Sequence, residues 1–140
     1  MYLLDTNVLS ELRKRRRDPN VADWVRTIPP SELHLSIITF TEIEKGIERQ
    51  RTVDPAFAEK LARWQGLTLR AFGERILPLT MNIARHWGRL AARIGNTDFD
   101  LAIAATALEH GLTVVTGNGK HFERTGVQLL NPFHARSPRR

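Results

Sequence analysis

Met1-Tyr2-Leu3-Leu4-Asp5-Thr6-Asn7 opens the chain, a short apolar run that ends on a carboxylate. Such a run reads as a buried strand, and a carboxylate at the carboxyl end of a buried strand stands where open α/β sheets bind their ligands. Asp5 is therefore the first residue to test for chemistry. A strand directly behind an initiator methionine also leads us to expect no signal peptide. Further strand-like runs follow at Leu33 to Ile38, Arg75 to Leu77, Thr113 to Thr116 and Val127 to Leu130, each short, apolar and bounded by turn residues. Helical segments lie between them. Asp18-Pro19 opens one through Trp24 and Ile28, and Asp54-Pro55 opens a longer one carrying Phe57, Leu61, Trp64 and Leu67 at helical spacing. Two more run from about Met81 to Ile94 and from about Asp98 to His110. This alternation predicts a three-layer α/β/α fold with a mostly parallel central sheet flanked by helices.

At 140 residues the chain fits one domain, expected over residues 1–134, with a basic and flexible tail over residues 135–140. The absence of cysteine excludes disulfides, thiolate metal sites and a thiol nucleophile, and suits a reducing cytoplasm. No apolar run approaches the ~20 residues of a membrane span, so no membrane partner is expected. A formal net charge of +6 points to a polyanionic partner, nucleic acid first and an acidic protein second.

The acidic residues fall in a pattern. Glu42 follows the apolar run Leu33 to Ile38, near the start of a helix that Thr39 or Thr41 would cap. Asp100 stands in the first turn of the helix Leu101-Ala102-Ile103-Ala104-Ala105-Thr106-Ala107-Leu108, and Asn118 follows the strand Thr113 to Thr116. Strand ends and helix starts of a parallel sheet share one edge, so Asp5, Glu42, Asp100 and Asn118 are expected to converge. Carboxylate and amide oxygens are hard ligands suited to Mg²⁺ or Mn²⁺, ions that complete their shell with water and substrate phosphate. Phosphodiester hydrolysis is the chemistry such a cluster supports. Each residue also has a structural explanation. Glu42 and Asp100 would be favoured in a first turn by the helix dipole, and Thr97 with Asp100 fits a capping-box variant. Asp98 competes with Asp100 as a ligand or serves as the cap. Asp5 is harder to explain structurally, because a carboxylate leaving a buried strand needs partners to offset its desolvation.

Four stretches carry a resemblance: Leu4-Asp5-Thr6-Asn7-Val8-Leu9-Ser10-Glu11, the segment from Leu35 to Gly46 around Thr41-Glu42, Asp100 to Ala107, and Val115-Thr116-Gly117-Asn118 through Phe133. In this order they resemble the PIN-domain family, and more narrowly the VapC and FitB-like ribonuclease toxins of bacterial toxin–antitoxin systems. The resemblance implies a PIN-like α/β/α fold and a toxin that is an Mg²⁺- or Mn²⁺-dependent endoribonuclease, hydrolysing RNA through a metal-activated water to leave a 5′-phosphate and a 3′-hydroxyl. It places Asp5, Glu42 and Asp100 as catalytic metal-binding acids, with Thr6, Asn7, Thr116 and Asn118 in support. It also implies a homodimer and a small cognate antitoxin that inserts a segment into the acidic groove while its own domain binds operator DNA. The chain departs from the pattern at Asn118, an amide in the fourth acid position, and at Gly117 and His121, where such toxins often carry an arginine or asparagine and an acid. His121 reads as a surface histidine or, less readily, a phosphate contact.

Arg13-Lys14-Arg15-Arg16-Arg17 is the densest run of charge, near the end of the first helix. Five consecutive cations exceed what a helix end requires, so the run is expected to bind RNA. Arg85, Arg89 and Arg93 form a basic stripe that reads equally as an ordinary exposed face. Trp24, Trp64 and Trp87 read as core or interface. Two rival functions remain open in the sequence. One is a PIN scaffold with little or no nuclease activity that assists its antitoxin in operator binding, as the missing fourth acid would allow. The other is a phosphatase with Asp5 as covalent nucleophile, which expects a second Asp where Asn7 stands.

Overall fold

The computed structural model describes residues 1–134; the basic tail expected over residues 135–140 lies outside them. Five strands, β1 (Tyr2–Leu4), β2 (Leu33–Ser36), β3 (Ile76–Leu77), β4 (Thr113–Val115) and β5 (Leu129–Leu130), form one sheet in the order β3-β2-β1-β4-β5. Every pairing is parallel, with Tyr2 opposite Leu33 on one side and Thr113 on the other. Six helices connect them: α1 (Thr6–Arg13), α2 (Pro19–Arg26), α3 (Ile37–Val53), α4 (Pro55–Phe72), α5 (Met81–Ile94) and α6 (Phe99–His110).

Successive side chains of a strand point to opposite faces, and here both faces are buried. Leu3 and Val114 pack with Ile83, Leu90, Ile103 and Phe122, so α5 and α6 cover one face. Leu4, Leu35 and Val115 pack with Val8, Val21, Ile43 and Ile47, so α1, α2 and α3 cover the other, with α4 lying along α3. This is the three-layer arrangement expected. Trp24 is buried in the second layer, edge-on to Tyr2, and Trp64 and Trp87 are partly buried against the two cores.

The helix starts follow the chemistry of their caps. Asp18 accepts the Asn20 N–H at 2.8 Å and Asp54 the Phe57 N–H at 3.1 Å, each just ahead of a proline at the first helical position. Two expectations need correction. The strand over Leu33 to Ile38 stops at Ser36, whose hydroxyl accepts the Ile38 N–H at 3.1 Å and caps α3 in place of Thr39 or Thr41. Glu42 therefore stands in the second turn of α3. Nor is Thr97 the cap of α6: Asp98 occupies that position, and its side chain makes no capping bond. The other strands are shorter than their apolar runs by one or two residues; at β5, Gly126 turns left-handed (φ 85°) and the Val127 N–H goes to the Thr125 hydroxyl.

Chain order reverses between β1 and β4. From β1 the sheet grows through β2 to β3 on one side, and β4 and β5 are added on the other. The crevice beyond the carboxyl ends of β1 and β4 is thus the topological switch point, where open parallel sheets bind ligands. Helices α1 and α3 begin there because they follow strands. Helix α6 begins there because it leads into β4 and must run antiparallel to it.

Candidate active site

Asp5 leaves β1 at the switch point, its N–H donating to the Val115 carbonyl at 2.9 Å. Its carboxylate is buried. One oxygen accepts the Thr6 N–H at 2.8 Å, and the other accepts the Thr116 hydroxyl at 2.8 Å. Burial pushes its pKa from 3.8 up to about 6; the two hydrogen bonds pull it down, and the charges of Asp100 and Glu42 push it up further. Glu42 comes in from α3. Its Oε1 accepts the Thr6 hydroxyl at 2.7 Å, and the Thr39 hydroxyl lies 3.3 Å from that of Thr6. Its carboxyl is also held above the usual range, by burial first and then by Asp100, against the Thr6 hydrogen bond and the Lys45 charge.

Asp100, in the first turn of α6, completes the group, since its charge acts on both of the other acids. Its Oδ2 lies 3.0 Å from Nδ1 of His121. Sequence reasoning placed His121 on the surface, and its side chain is indeed 59% exposed, but it is anchored to one of the three acids. Nothing in the 21-residue separation announced this contact; it arises because the loop after β4 and the start of α6 meet at one sheet edge.

Thr116, buried at the end of β4, is the hub of the supporting residues. Its hydroxyl donates to Asp5 and accepts the Asn118 N–H at 3.0 Å, and the Asn7 amide reaches it at 3.4 Å. Asn118 itself is exposed, and its side-chain amide has no partner among the described residues. Gly117 is required sterically: a Cβ there would stand 2.8 and 2.9 Å from two ring carbons of Phe133. A larger residue at this position needs Phe133 to move.

Asp98 is exposed and its side chain takes no part in this network; its backbone N–H donates to the Asn96 side chain at 3.0 Å and its carbonyl accepts the Leu101 N–H at 3.0 Å. We therefore expect Asp98→Asn to keep most activity and to change stability by only a few tenths of a kcal/mol, checked by cleavage rate and urea midpoint beside Asp100→Asn. Loss of activity in the first variant and retention in the second would reverse the assignment.

The basic run divides. The Arg13 guanidinium stacks over the Phe57 ring at 5.2 Å, on the wall of a cleft that also holds Thr6 and Glu42. Lys14 pairs with Glu11 at 3.0 Å, while Arg15, Arg16 and Arg17 are exposed. The stripe Arg85, Arg89 and Arg93 is exposed on α5, on the opposite side of the sheet from α1, with Arg93 donating to the Arg124 carbonyl.

The donor set suits a hard divalent cation. Three carboxylates from three elements repel one another, and amide and hydroxyl oxygens surround them; a cation would relieve that repulsion. Among the described residues no three acids or histidines already stand close enough to enclose an ion. The fit therefore rests on donor chemistry and charge, with no preformed cage.

The model of the family described as PIN domain matches residues 2–128. The chain is 34% identical over 145 residues to the VapC ribonuclease Y4jK of Sinorhizobium fredii, with 95% of this chain and 98% of that protein covered. It is 28% identical to the toxin FitB of Neisseria gonorrhoeae, covering 96% and 99% of the two chains. The solved structure of FitAcB from that organism superposes with a TM-score of 0.84 at 31% identity, covering 96% of this chain and 100% of the other. FitAB bound to an IR36 DNA fragment superposes at 0.78 with 29% identity, covering 98% and 99%.

Proposed function

This chain belongs to the PIN-domain family, and on that premise we propose that it is the toxin of a toxin–antitoxin pair and hydrolyses RNA phosphodiester bonds. The observation that carries the reading is the convergence of Asp5, Glu42 and Asp100 at the switch point of the sheet, where Asp5 is hydrogen-bonded to Thr6 and Thr116, Glu42 to Thr6, and the charge of Asp100 acts on both of them. Relatives bearing the names VapC ribonuclease and toxin FitB support the substrate and the role.

Asp5, Glu42 and Asp100 would hold Mg²⁺ or Mn²⁺. When bound, such an ion supplies positive charge for the phosphate under attack and lowers the pKa of water. The residues around it have separable tasks. Thr6 and Thr116 fix one oxygen each of Glu42 and Asp5, leaving the acids little freedom to rotate. The starts of α1 and α6 direct partial positive charge at the same crevice, which favours both the carboxylates and an incoming phosphate. Asn118 presents an unpartnered amide at the rim, suited to orienting water or ribose. The products are a 5′-phosphate and a 3′-hydroxyl.

A small antitoxin, a homodimeric toxin and a complex seated on operator DNA complete the proposal, in line with the FitAB structure bound to DNA. Action on RNA places the protein in the cytoplasm; no described helix is long and apolar enough to cross a membrane. Brief expression in cells, with and without the antitoxin, followed by sequencing of RNA ends tests the function. New 5′-phosphate ends that vanish with Asp5→Asn support it; unchanged RNA favours a scaffold that acts only through DNA binding.

Exposed Arg15, Arg16 and Arg17 follow the far end of α1, the eight-residue helix that Asp5 caps, and are the residues we assign to RNA phosphates. Replacing all three by Gln is expected to flatten the salt dependence of RNA binding by up to about two units of log–log slope, at ~0.7 per single-strand contact. The measurement is affinity for an uncleaved RNA between low and moderate salt, with antitoxin affinity alongside. An unaltered RNA slope with weakened antitoxin binding makes the run a protein interface.

A further inference from the structure

The aromatic ring on one wall of the crevice has no assigned task. Asn7, Ser10 and Lys14 of α1, Gly117 and Asn118 after β4, and Phe133 line a cleft of ≈ 440 Å³. It adjoins Asp5 through Thr116, since the amide of Asn7 and the N–H of Asn118 both meet the hydroxyl that binds Asp5. Phe133 is held in place there from several sides. Its N–H donates to the Asn131 side chain at 2.9 Å, its carbonyl accepts the Asn20 amide at 2.8 Å, Pro132 before it is buried, and one ring edge rests on the bare Cα of Gly117. The ring packs against the second core and, being only partly buried, also lines the cleft.

We propose that this cleft is a nucleobase subsite, in which the base of a nucleotide next to the scissile phosphate stacks on Phe133 and is hydrogen-bonded by Asn7 and Asn118. The inference rests on the ribonuclease function above. Single-stranded RNA is read by stacking on aromatic side chains and by polar groups that reach the base edges. Neutral side-chain amides carry both donor and acceptor, as base edges do. Lys14 at the mouth supplies a cation for the adjoining backbone phosphate. Glu11 on the same wall is engaged by Lys14 and by the Asp18 N–H at 2.9 Å, and these hold its carboxyl below its usual range.

The test uses an oligoribonucleotide with one mapped cleavage site and a set of copies carrying an abasic ribose at each neighbouring position in turn. Wild-type protein is expected to lose roughly tenfold in kcat/KM, the range for one base–aromatic stack, when the base is missing at one position and much less elsewhere. Phe133→Leu should lose a similar factor on intact RNA and then show no further loss at that position, while Phe133→Tyr, which keeps an aromatic ring, should keep the abasic-sensitive position. A merely structural role for Phe133 would instead multiply every abasic effect equally. A wild-type protein that cleaves but has no abasic-sensitive position overturns the subsite without any variant. So does a Phe133→Leu protein that cleaves normally but binds antitoxin weakly, which would make the cleft a protein-binding surface. A wild-type protein that cleaves none of the RNAs overturns the ribonuclease function itself, and the subsite with it.

Discussion

Asp5→Asn is expected to remove RNA cleavage and, in the same protein, to stabilise the metal-free fold. The two effects share a cause. The buried Asp5 carboxyl rises from 3.8 to about 6, so the folded protein holds that proton more tightly than the unfolded chain does. Stability from this group is complete below the unfolded value and is lost as pH rises towards and through 6. At pH 7 the ionised, buried carboxylate then costs the fold about 3 kcal/mol, to order of magnitude. Asparagine has nearly the same shape and carries no charge; its single carbonyl oxygen can accept the Thr6 N–H, while its NH2 group faces the Thr116 hydroxyl and must donate to it. We expect it to gain about 1–3 kcal/mol at pH 7 and much less near pH 4.5, where Asp5 of the wild type is protonated in the fold. Urea unfolding in chelator at both pH values measures this; a less stable Asp5→Asn at pH 7 contradicts the buried charge. Cleavage should fall at least about a thousandfold, well beyond the ~10–100-fold typical when only a supporting residue is lost. Glu42→Gln and Asp100→Asn should lose it as well.

Thr116→Val is the second large effect, and it goes the other way in stability. Valine fills the same buried space but neither donates to Asp5 nor accepts from Asn118. Leaving a buried carboxylate oxygen and a backbone N–H short of partners costs about 2–4 kcal/mol. Because the Thr116 hydrogen bond lowers the Asp5 pKa, its loss raises that value further. The acid limb of the pH–rate profile should therefore move to higher pH, with a fall of about 10–100-fold at pH 7, and Thr116→Ser should restore both. A Thr116→Val enzyme with an unshifted acid limb means that the hydroxyl does not act through Asp5.

The fold was legible because the strands are short, apolar and separated by helices, two of them with strong caps at Asp18 and Asp54. Convergence of Asp5, Glu42 and Asp100 followed from topology alone: helices that follow or precede parallel strands begin at one edge. Details set by single hydrogen bonds were not legible. Ser36 ends β2 early because its own hydroxyl captures the Ile38 N–H, a competition that apolar patterning does not register. Asp98 lies at the cap position, yet its side chain accepts no helix N–H, a choice of rotamer that sequence pattern does not record. The pairing of His121 with Asp100 and the seat of Phe133 on Gly117 join residues far apart in sequence, through loops whose paths the pattern of apolar residues leaves open. Gly117 was visible only as a departure from related toxins, and the ring of Phe133 supplies its physical reason.

The most direct measurement is cleavage of one defined RNA by purified wild-type protein, with free Mg²⁺ or Mn²⁺ titrated against chelator and Asp5→Asn, Glu42→Gln and Asp100→Asn run in parallel. We predict cleavage that rises with free metal, stops in excess chelator, leaves a 5′-phosphate and is lost in all three variants. Full cleavage in excess chelator, or in any one of the three variants, would contradict a metal-dependent site built on these acids.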